Sequence, residues 1–456
     1  MASSEKIRKP AVDGRFYPSS PIELKNDIGK YLASAKPDEP LPPVNIIIAP
    51  HAGYVFSAPV AAYAYARVSR GAKTAILIGP SHYERFDGVH VTDAKYYETP
   101  LGKVEVNQKI VGKLSKHPLC LRAQGAEDKE HCLEVQLPFL QMLLGKFTIV
   151  PLLTGNVSAK AVAEMLLPLV DDATLLVASS DLSHYQPQRE AREIDDATIS
   201  TVLSGRAEGF MEGCGETAMR IVMDIAAKKG LSAELLDART SYETAPEHGD
   251  PHRVVGYAAI AFAKRSAKDS GADDFSQEEK EYMLKLARST VESALRGEDA
   301  PLPKPPLTKL IQPYGCFVTL NKFGHLRGCI GNIEPVKPLY KSVADNAVNA
   351  AFHDPRFPKL KAGELADVTV EVSVLTRPAP LEAKSPEDLL SKLIPHEHGV
   401  ILKFGSRQST FLPQVWEQLP DKVMFLEHLS MKAGMGKDDW KRADVWVYRA
   451  VHFEET

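Results

Sequence analysis

Three unbroken apolar runs in the first half of the chain each meet a Pro or Ser and then a His: residues 45–54 (NIIIAPHAGY), 75–83 (AILIGPSHY) and 174–185 (TLLVASSDLSHY). An apolar run without polar interruption, bounded by Pro, Gly or Ser, predicts a strand buried on both faces, as in a parallel sheet covered by helices. In such sheets ligands bind beyond the carboxyl ends of the strands. Strands that release a His or Asp at that edge direct His51, His82, Asp181 and His184 toward one place, the candidate active site. These residue types favour a metal ion.

At 456 residues the chain exceeds what one hydrophobic core usually serves, so two domains are expected. A net charge of -4 without any basic run argues against nucleic acid as a partner. No apolar stretch reaches bilayer-spanning length, and the opening MASSEKIRKP lacks the apolar core of a signal peptide. The 5 cysteines are scattered and form no CxxC pair, which speaks against a disulfide framework or a structural zinc site and for a reducing cytoplasm.

Between the histidine runs, residues 22–35, 58–67, 159–170 and 217–229 read as helices, and 147–155 and 254–262 as further strands. Residues 11–18, an aromatic pair between Gly and Pro, predict an ordered loop over a pocket or the core. Residues 126–140 predict a helix with His131 and Glu134 on one face. A polar, small-residue stretch at 265–275 marks a linker. Beyond it the pattern changes to α+β: a helix over 276–296 with Ser276 and Glu279 as a capping box, strands at 315–320, 368–375 and 400–404, a helix at 343–352, and a closing strand at 445–451. Residues 326–331 (LRGCIG) read as a tight turn between glycines.

Two imidazoles and one anionic donor, with open positions left over, is the pattern by which non-haem Fe(II) enzymes bind oxygen and substrate together. His51 and His82 supply the imidazoles, and the third donor is Cys214, Asp181 or Glu134. Cys214 lies in Gly-Cys-Gly-Glu just before a helical pattern, where unpaired amides favour the thiolate. A thiolate donor also suits zinc or copper, so composition leaves the metal open. His184 is then free for acid–base work, with Asp181 orienting it or a metal-bound water. The competing interpretation is hydrogen-bonded core histidines or a phosphate pocket. No Walker loop, GxGxxG, GxSxG elbow or HExxH stands where nucleotide or hydrolase chemistry would need it.

The motifs AVDGRFYP, APHAGYVFSAPVAA, GPSHYERFDG, TPLG, EHCLEVQLPFL and SSDLSHY, with the Gly-Cys-Gly turn, resemble the Memo family over residues 1–264. That family is similar in fold to the LigB-like extradiol dioxygenases, which implies an α/β sheet with helices on both faces. The motifs YGCFVTL, LRGCIGNIEP, AFHDPRF, VEVSVL and HGVILKFG resemble the Ammecr domain over residues 276–456, which implies a two-lobed α+β unit. The chain looks like a fusion of proteins B and A of the AmmeMemoRadiSam system. The resemblance implies a radical S-adenosylmethionine protein as partner and a small-molecule substrate. It places the metal ligands on His51, His82 and Cys214, and further pocket residues on Asp181 and His184. His131, Glu134 and Tyr54 are additional pocket candidates, and Arg327, Cys329 and His353 are those of the Ammecr half. Fe(II) is the expected ion, with copper or zinc as alternatives. A non-catalytic scaffold that uses the same pocket for recognition is the rival expectation.

Overall fold

A computed structural model describes residues 6–35, 42–205, 208–264, 275–298, 305, 308–333, 335, 337–376, 378–405 and 407–455. The chain forms two compact units, Met1–Arg265 and Ser266–Thr456. The expected linker falls almost wholly on residues 265–274, outside the described residues, and the preceding strand continues to Lys264. No helix among the described residues is long and apolar enough to cross a membrane.

The first unit is built on a mixed sheet whose centre is parallel. The strand Thr174–Ser179 lies between Ile46–Ala49 and Thr74–Pro80, and Thr148–Thr154 follows on the outer side of Thr74–Pro80. Ile46, Ile47, Ile48 and Ala49 are all buried, as are Leu175 to Ala178, so both faces of these strands are covered. The long strand Val254–Lys264 runs antiparallel beside Ile46–Ala49. Helices Tyr54–Ala66 and Glu216–Lys228 pack on the sheet, the former through Ala58, Ala61 and Ala62, whose small side chains permit close approach.

Residues 126–140 depart from the expected continuous helix. They form an irregular loop, a single 3-10 turn at Glu134–Gln136 and a short helix Leu137–Leu143. The reason is competition for backbone amides: the Glu130 carboxylate accepts N–H bonds from His131 (2.9 Å) and Cys132 (3.0 Å), which a helix would have used differently. His131 and Glu134 therefore do not share a face. Glu134 turns inward, where it pairs with Arg8 and accepts the amides of Ala11 (2.8 Å) and Val12 (3.1 Å) and the Tyr17 hydroxyl. This carboxylate anchors the 11–18 loop.

In the second unit, four antiparallel strands are ordered His325–Asn332, Gly315–Lys322, Val368–Leu375 and Ala450–Glu454. Helices Gln277–Leu295 and Leu339–Phe352 pack on one face over Val318, Leu320, Val370 and Val372. The capping box at Ser276 and Glu279 is present in both directions. A second sheet contains Ala379–Pro380, Asp444–Tyr448, Gly399–Phe404 and Arg407–Phe411.

Two expectations change here. Residues 326–331 are strand, not turn; the reversal is at Phe323–Gly324, both at positive φ. Gly328 is required instead by packing, since a Cβ there would stand 2.1 Å from the Ala350 carbonyl oxygen. The expected closing strand is two strands, parted at Arg449, that belong to different sheets.

Near the 127–134 loop, Glu127 is buried and accepts from the Tyr97 hydroxyl at 2.6 Å, with His90 Nε2 3.6 Å away. Burial alone would raise its pKa, but the nearby His90, the Tyr97 hydroxyl and Thr92 outweigh it and hold the carboxyl down at about 2. A folded-state pKa below the unfolded value stabilises the protein above the unfolded pKa, and the effect is lost as pH falls through the folded one. Glu127→Gln is expected to lower the stability of the first unit by at most about 3 kcal/mol at neutral pH. In thermal unfolding the gap between wild type and variant should close as pH falls from about 4.5 toward 2. A gap that stays constant over that range would show that Glu127 acts by packing alone.

Candidate metal centre

The level ends of the three parallel strands place the site. Ala178 is the register partner of both Ile48 and Ile78. His51 follows Ile48 by three residues, Asp181 follows Ala178 by three and His82 follows Ile78 by four, so all emerge at one edge. Cys214 approaches from the loop before helix Glu216–Lys228. Donor atoms of His51, His82 and Cys214 lie within 4.8 Å of one another. The Cys214 Sγ is 3.1 Å from His51 Nε2, and the His51 and His82 rings are 5.3 Å apart. His131 stacks on His82 at 4.9 Å and meets His51 edge-on at 5.5 Å.

The glycines around Cys214 are there because the strand ends leave no room for more. A Cβ at Gly215 would stand 2.4 Å from the Ser179 carbonyl oxygen, and one at Gly213 would stand 2.7 Å from that of Asp181. Only glycine lets this loop lie against the sheet edge and carry its sulfur to the histidines.

Hydrogen-bond accounting sets the tautomers of both imidazoles. The Ser179 hydroxyl donates its single hydrogen to the Cys132 carbonyl (2.6 Å) and accepts from Gln136 Nε2 (2.8 Å). His51 Nδ1, 2.9 Å from the same oxygen, must therefore be the N–H donor, which leaves the lone pair on Nε2 facing Cys214. His82 Nδ1 lies 2.9 Å from Glu130 Oε1, and an ionised carboxylate only accepts. His82 thus also carries its hydrogen on Nδ1 and offers Nε2. An imidazole whose second nitrogen is held by a carboxylate or hydroxyl is the usual support of a metal-binding histidine.

At neutral pH the electrostatics leave His51, His131 and Cys214 uncharged. Burial and the nearby His82 push His51 down to about 3, and burial and His51 push His131 down to about 4. Burial and the Asp181 carboxylate push the Cys214 thiol up to about 12, overriding the amides expected to favour the thiolate. Asp181 itself is raised by burial, against the His51 N–H that it accepts at 2.7 Å. Glu130 is held down at about 2 because its bonds from His82 and neighbouring amides outweigh burial. Two free imidazole lone pairs and one sulfur fit iron, zinc or copper, and a cation there would compensate the thiolate that burial disfavours.

His184 lies close enough to affect the charge of both His51 and Asp181. Its neighbour Tyr185 has φ 58 and is exposed, a backbone strain of the kind that accompanies functional sites. Phe16 packs edge-on to His131 at 4.9 Å, so the 11–18 loop serves pocket and core together. Tyr54 is not in the pocket: its hydroxyl donates to the Val135 carbonyl at 2.7 Å and its ring packs on Tyr17 and Phe139. Glu134, committed to Arg8 and the 11–18 loop, is not a metal donor. Cys132 is fully buried beside the Pro80 carbonyl and packs against Gly79, where a Cβ would be 2.6 Å from its sulfur.

Glu130 was missed from sequence; it stands in the Glu-His-Cys motif, but nothing local shows that it turns to His82. Ser179 and Gln136 were missed for the same reason. In the second unit, Arg327 is buried against Glu364 (3.1 Å) and His353 is exposed with Nδ1 3.0 Å from Asn349, so neither faces a cavity with Cys329.

Comparison with known proteins agrees with this architecture. A Memo-like protein family model matches residues 8–261, and an AMMECR1 model matches residues 284–453. A MEMO1 family protein of Archaeoglobus fulgidus is 34% identical over 270 residues, covering 56% of this chain and 99% of its own. A MEMO1 family protein of Thermoplasma volcanium is 32% identical over 273 residues, covering 57% and 99%. A protein of Methanopyrus kandleri is 40% identical over 184 residues, covering 39% of this chain and 89% of its own. The chain therefore belongs to the Memo-like protein family, with an AMMECR1 domain fused behind it.

Proposed function

We propose that the first unit is a metal-dependent oxidoreductase of the non-haem Fe(II), dioxygenase-like kind, with His51, His82 and Cys214 as ligands. Donor atoms of His51, His82 and Cys214 within 4.8 Å of one another, on two imidazoles whose Nδ1 hydrogens are engaged by Ser179 and Glu130, carry this proposal. Iron(II) held by three protein donors supplies open positions for oxygen and substrate together; zinc or copper would fit the same donors. The residues around it do the rest. Glu130 and Ser179 hold the imidazoles in register; His51 is buried while His82 is exposed, so the site opens on the His82 side. His184 takes a proton from a phenolic or other hydroxyl of the substrate, and Asp181, oriented by the His51 amide, balances the charge that results. The AMMECR1 half would present substrate or a radical S-adenosylmethionine partner of the AmmeMemoRadiSam system, in the cytoplasm.

A recognition cleft without catalysis is the second reading, favoured by the exposed Tyr83 and Tyr185 rings close to His82 and His184. The two separate on one preparation. Protein reconstituted anaerobically with Fe(II) is expected to hold one equivalent of iron, to lose it in His51→Ala and in Cys214→Ala, and to consume oxygen with catechols. Iron bound without oxygen uptake on any hydroxylated substrate would favour the cleft, and failure to bind any transition ion would sink both the enzyme and its ligand set. Glu130→Gln should keep the fold and weaken metal affinity about 10- to 100-fold, as loss of an imidazole's outer partner generally does. Unchanged affinity in a competition titration would remove Glu130 from the site.

A further inference from the structure

The metal site leaves the second unit's chemistry unused, and its sheet has an unusual face. Strand register sets Cys329 opposite Thr319, Thr319 opposite Glu371, and Ser373 opposite His452. Alternation along each strand puts these on one face, while Val318, Leu320, Val370 and Val372 point into the helical core on the other. A face with a thiol, two hydroxyls, a carboxylate and an imidazole would ordinarily meet water. Here the segment with Leu412 and Gln414 covers part of it and leaves a cavity of about 50 Å³, lined by Cys329, Thr319, Glu371, Ser373, Leu412 and Gln414.

Cys329 stands apart from the other cysteines. Cys132 and Cys316 are fully buried, Cys120 packs against Met165 at 3.6 Å, and Cys214 belongs to the metal site. Cys329 is partly exposed, its Sγ accepts a hydrogen bond from the Thr319 hydroxyl at 3.3 Å, and the Arg356 guanidinium donates to its carbonyl at 3.0 Å. Asp354 holds that guanidinium (2.8 Å) and accepts the Cys329 amide (2.9 Å), so the strand and the arginine are fixed together. Cys329 is thus a partly exposed thiol with a hydroxyl donor at its sulfur, on a strand pinned through its backbone by Arg356 and Asp354, and exposure is one condition for a cysteine to react.

Ser373 is not a rival nucleophile. Gln414 Nε2, a donor, lies 3.4 Å from His452 Nε2, so the His452 hydrogen sits on Nδ1 and faces Ser373 Oγ at 2.8 Å. The serine hydrogen then goes to Glu371 at 3.3 Å. Glu371 is left as the anion that lines the cavity, two strands and so about 10 Å of backbone from Cys329. On the same measure of volume a water needs about 10–15 Å³, so the space of about 50 Å³ admits a molecule of roughly three to five heavy atoms.

We propose that this cavity is a second reactive site, in which Cys329 adds reversibly to the carbonyl carbon of a small aldehyde whose ammonium group sits against Glu371. The Sγ–C bond forms as the C=O π pair moves onto oxygen, and that oxygen takes the proton lost by the thiol, by way of the Thr319 hydroxyl or water. The product is a hemithioacetal, and no oxidant or reductant is consumed.

The full-length protein tests this through reagent charge. Alkylation of Cys329 by 2-bromoethylamine, iodoacetamide and iodoacetate is followed by peptide mass spectrometry, each rate divided by that of 2-mercaptoethanol with the same reagent. The cationic reagent is expected to exceed the anionic one about tenfold, the direction a carboxylate in the cavity dictates. Aminoacetaldehyde should slow alkylation at Cys329 and leave Cys120 unaffected, and Glu371→Gln should abolish the charge preference. Normalised rates within about twofold of one another in the wild type, where no variant's folding is at issue, would overturn the assignment. So would an aldehyde that gives Cys329 no protection.

Discussion

The whole N-terminal site depends on how one strand is paired. Thr174–Ser179 bonds in parallel to Ile46–Ala49 on one side and Thr74–Pro80 on the other, and Ala178 is level with both neighbours. Parallel strands that end level release their next residues into one crevice, which is why binding sites of α/β sheets lie there. A slip of one residue in either ladder would send a histidine to the opposite face of the sheet. The pairing is protected at the strand ends: the strands are apolar throughout and covered on both faces, so a slipped register would draw polar flanking residues into the core.

Above that edge a single irregular loop does two jobs in opposite directions. Glu130 points to His82 and fixes its tautomer, while Glu134, four residues on, points to Arg8 and the backbone of the 11–18 loop. Both are almost fully buried, and both are saturated with donors, which is what makes a buried carboxylate tolerable. Breaking the Arg8–Glu134 pair would strand a charge in the interior, at a typical cost of about 3–5 kcal/mol. Because Phe16 of the anchored loop packs on His131, the stability of this ion pair and the shape of the pocket are coupled. The donors of the site are thus held by groups that never touch a ligand.

The second unit solves a different problem with similar means. Its four-stranded sheet has one apolar face under two helices and one polar face partly covered by Leu412 and the 3-10 turn Pro413–Glu417 that follows it. Covering a polar face is costly unless each group has a partner, and Thr319, Ser373, His452 and the Cys329 amide all have one. The change of sheet at Arg449 is what lets Ala450–Glu454 complete the first sheet while Asp444–Tyr448 stays in the other.

The sequence by itself determined the strand runs, the strand-end histidines, the change of pattern after residue 264 and the kinship of both halves, because apolar periodicity and local motifs are written in neighbouring residues. It also singled out Cys214 from its glycines, although the burial that raises that thiol lies outside local sequence. What it did not contain was direction. A helical spacing put His131 and Glu134 on one face, and a glycine pair suggested a turn at 326–331; in the folded protein a carboxylate took the helix's amides and a helix backbone at Ala350 took the space of a side chain. The partners of His51 and His82, and the arrangement of Cys329 and Glu371 across one cavity, join residues 40 to more than 120 positions apart. Tertiary structure alone decides these, because a hydrogen bond or a closed cavity depends on distance in space, which spacing along the chain does not encode.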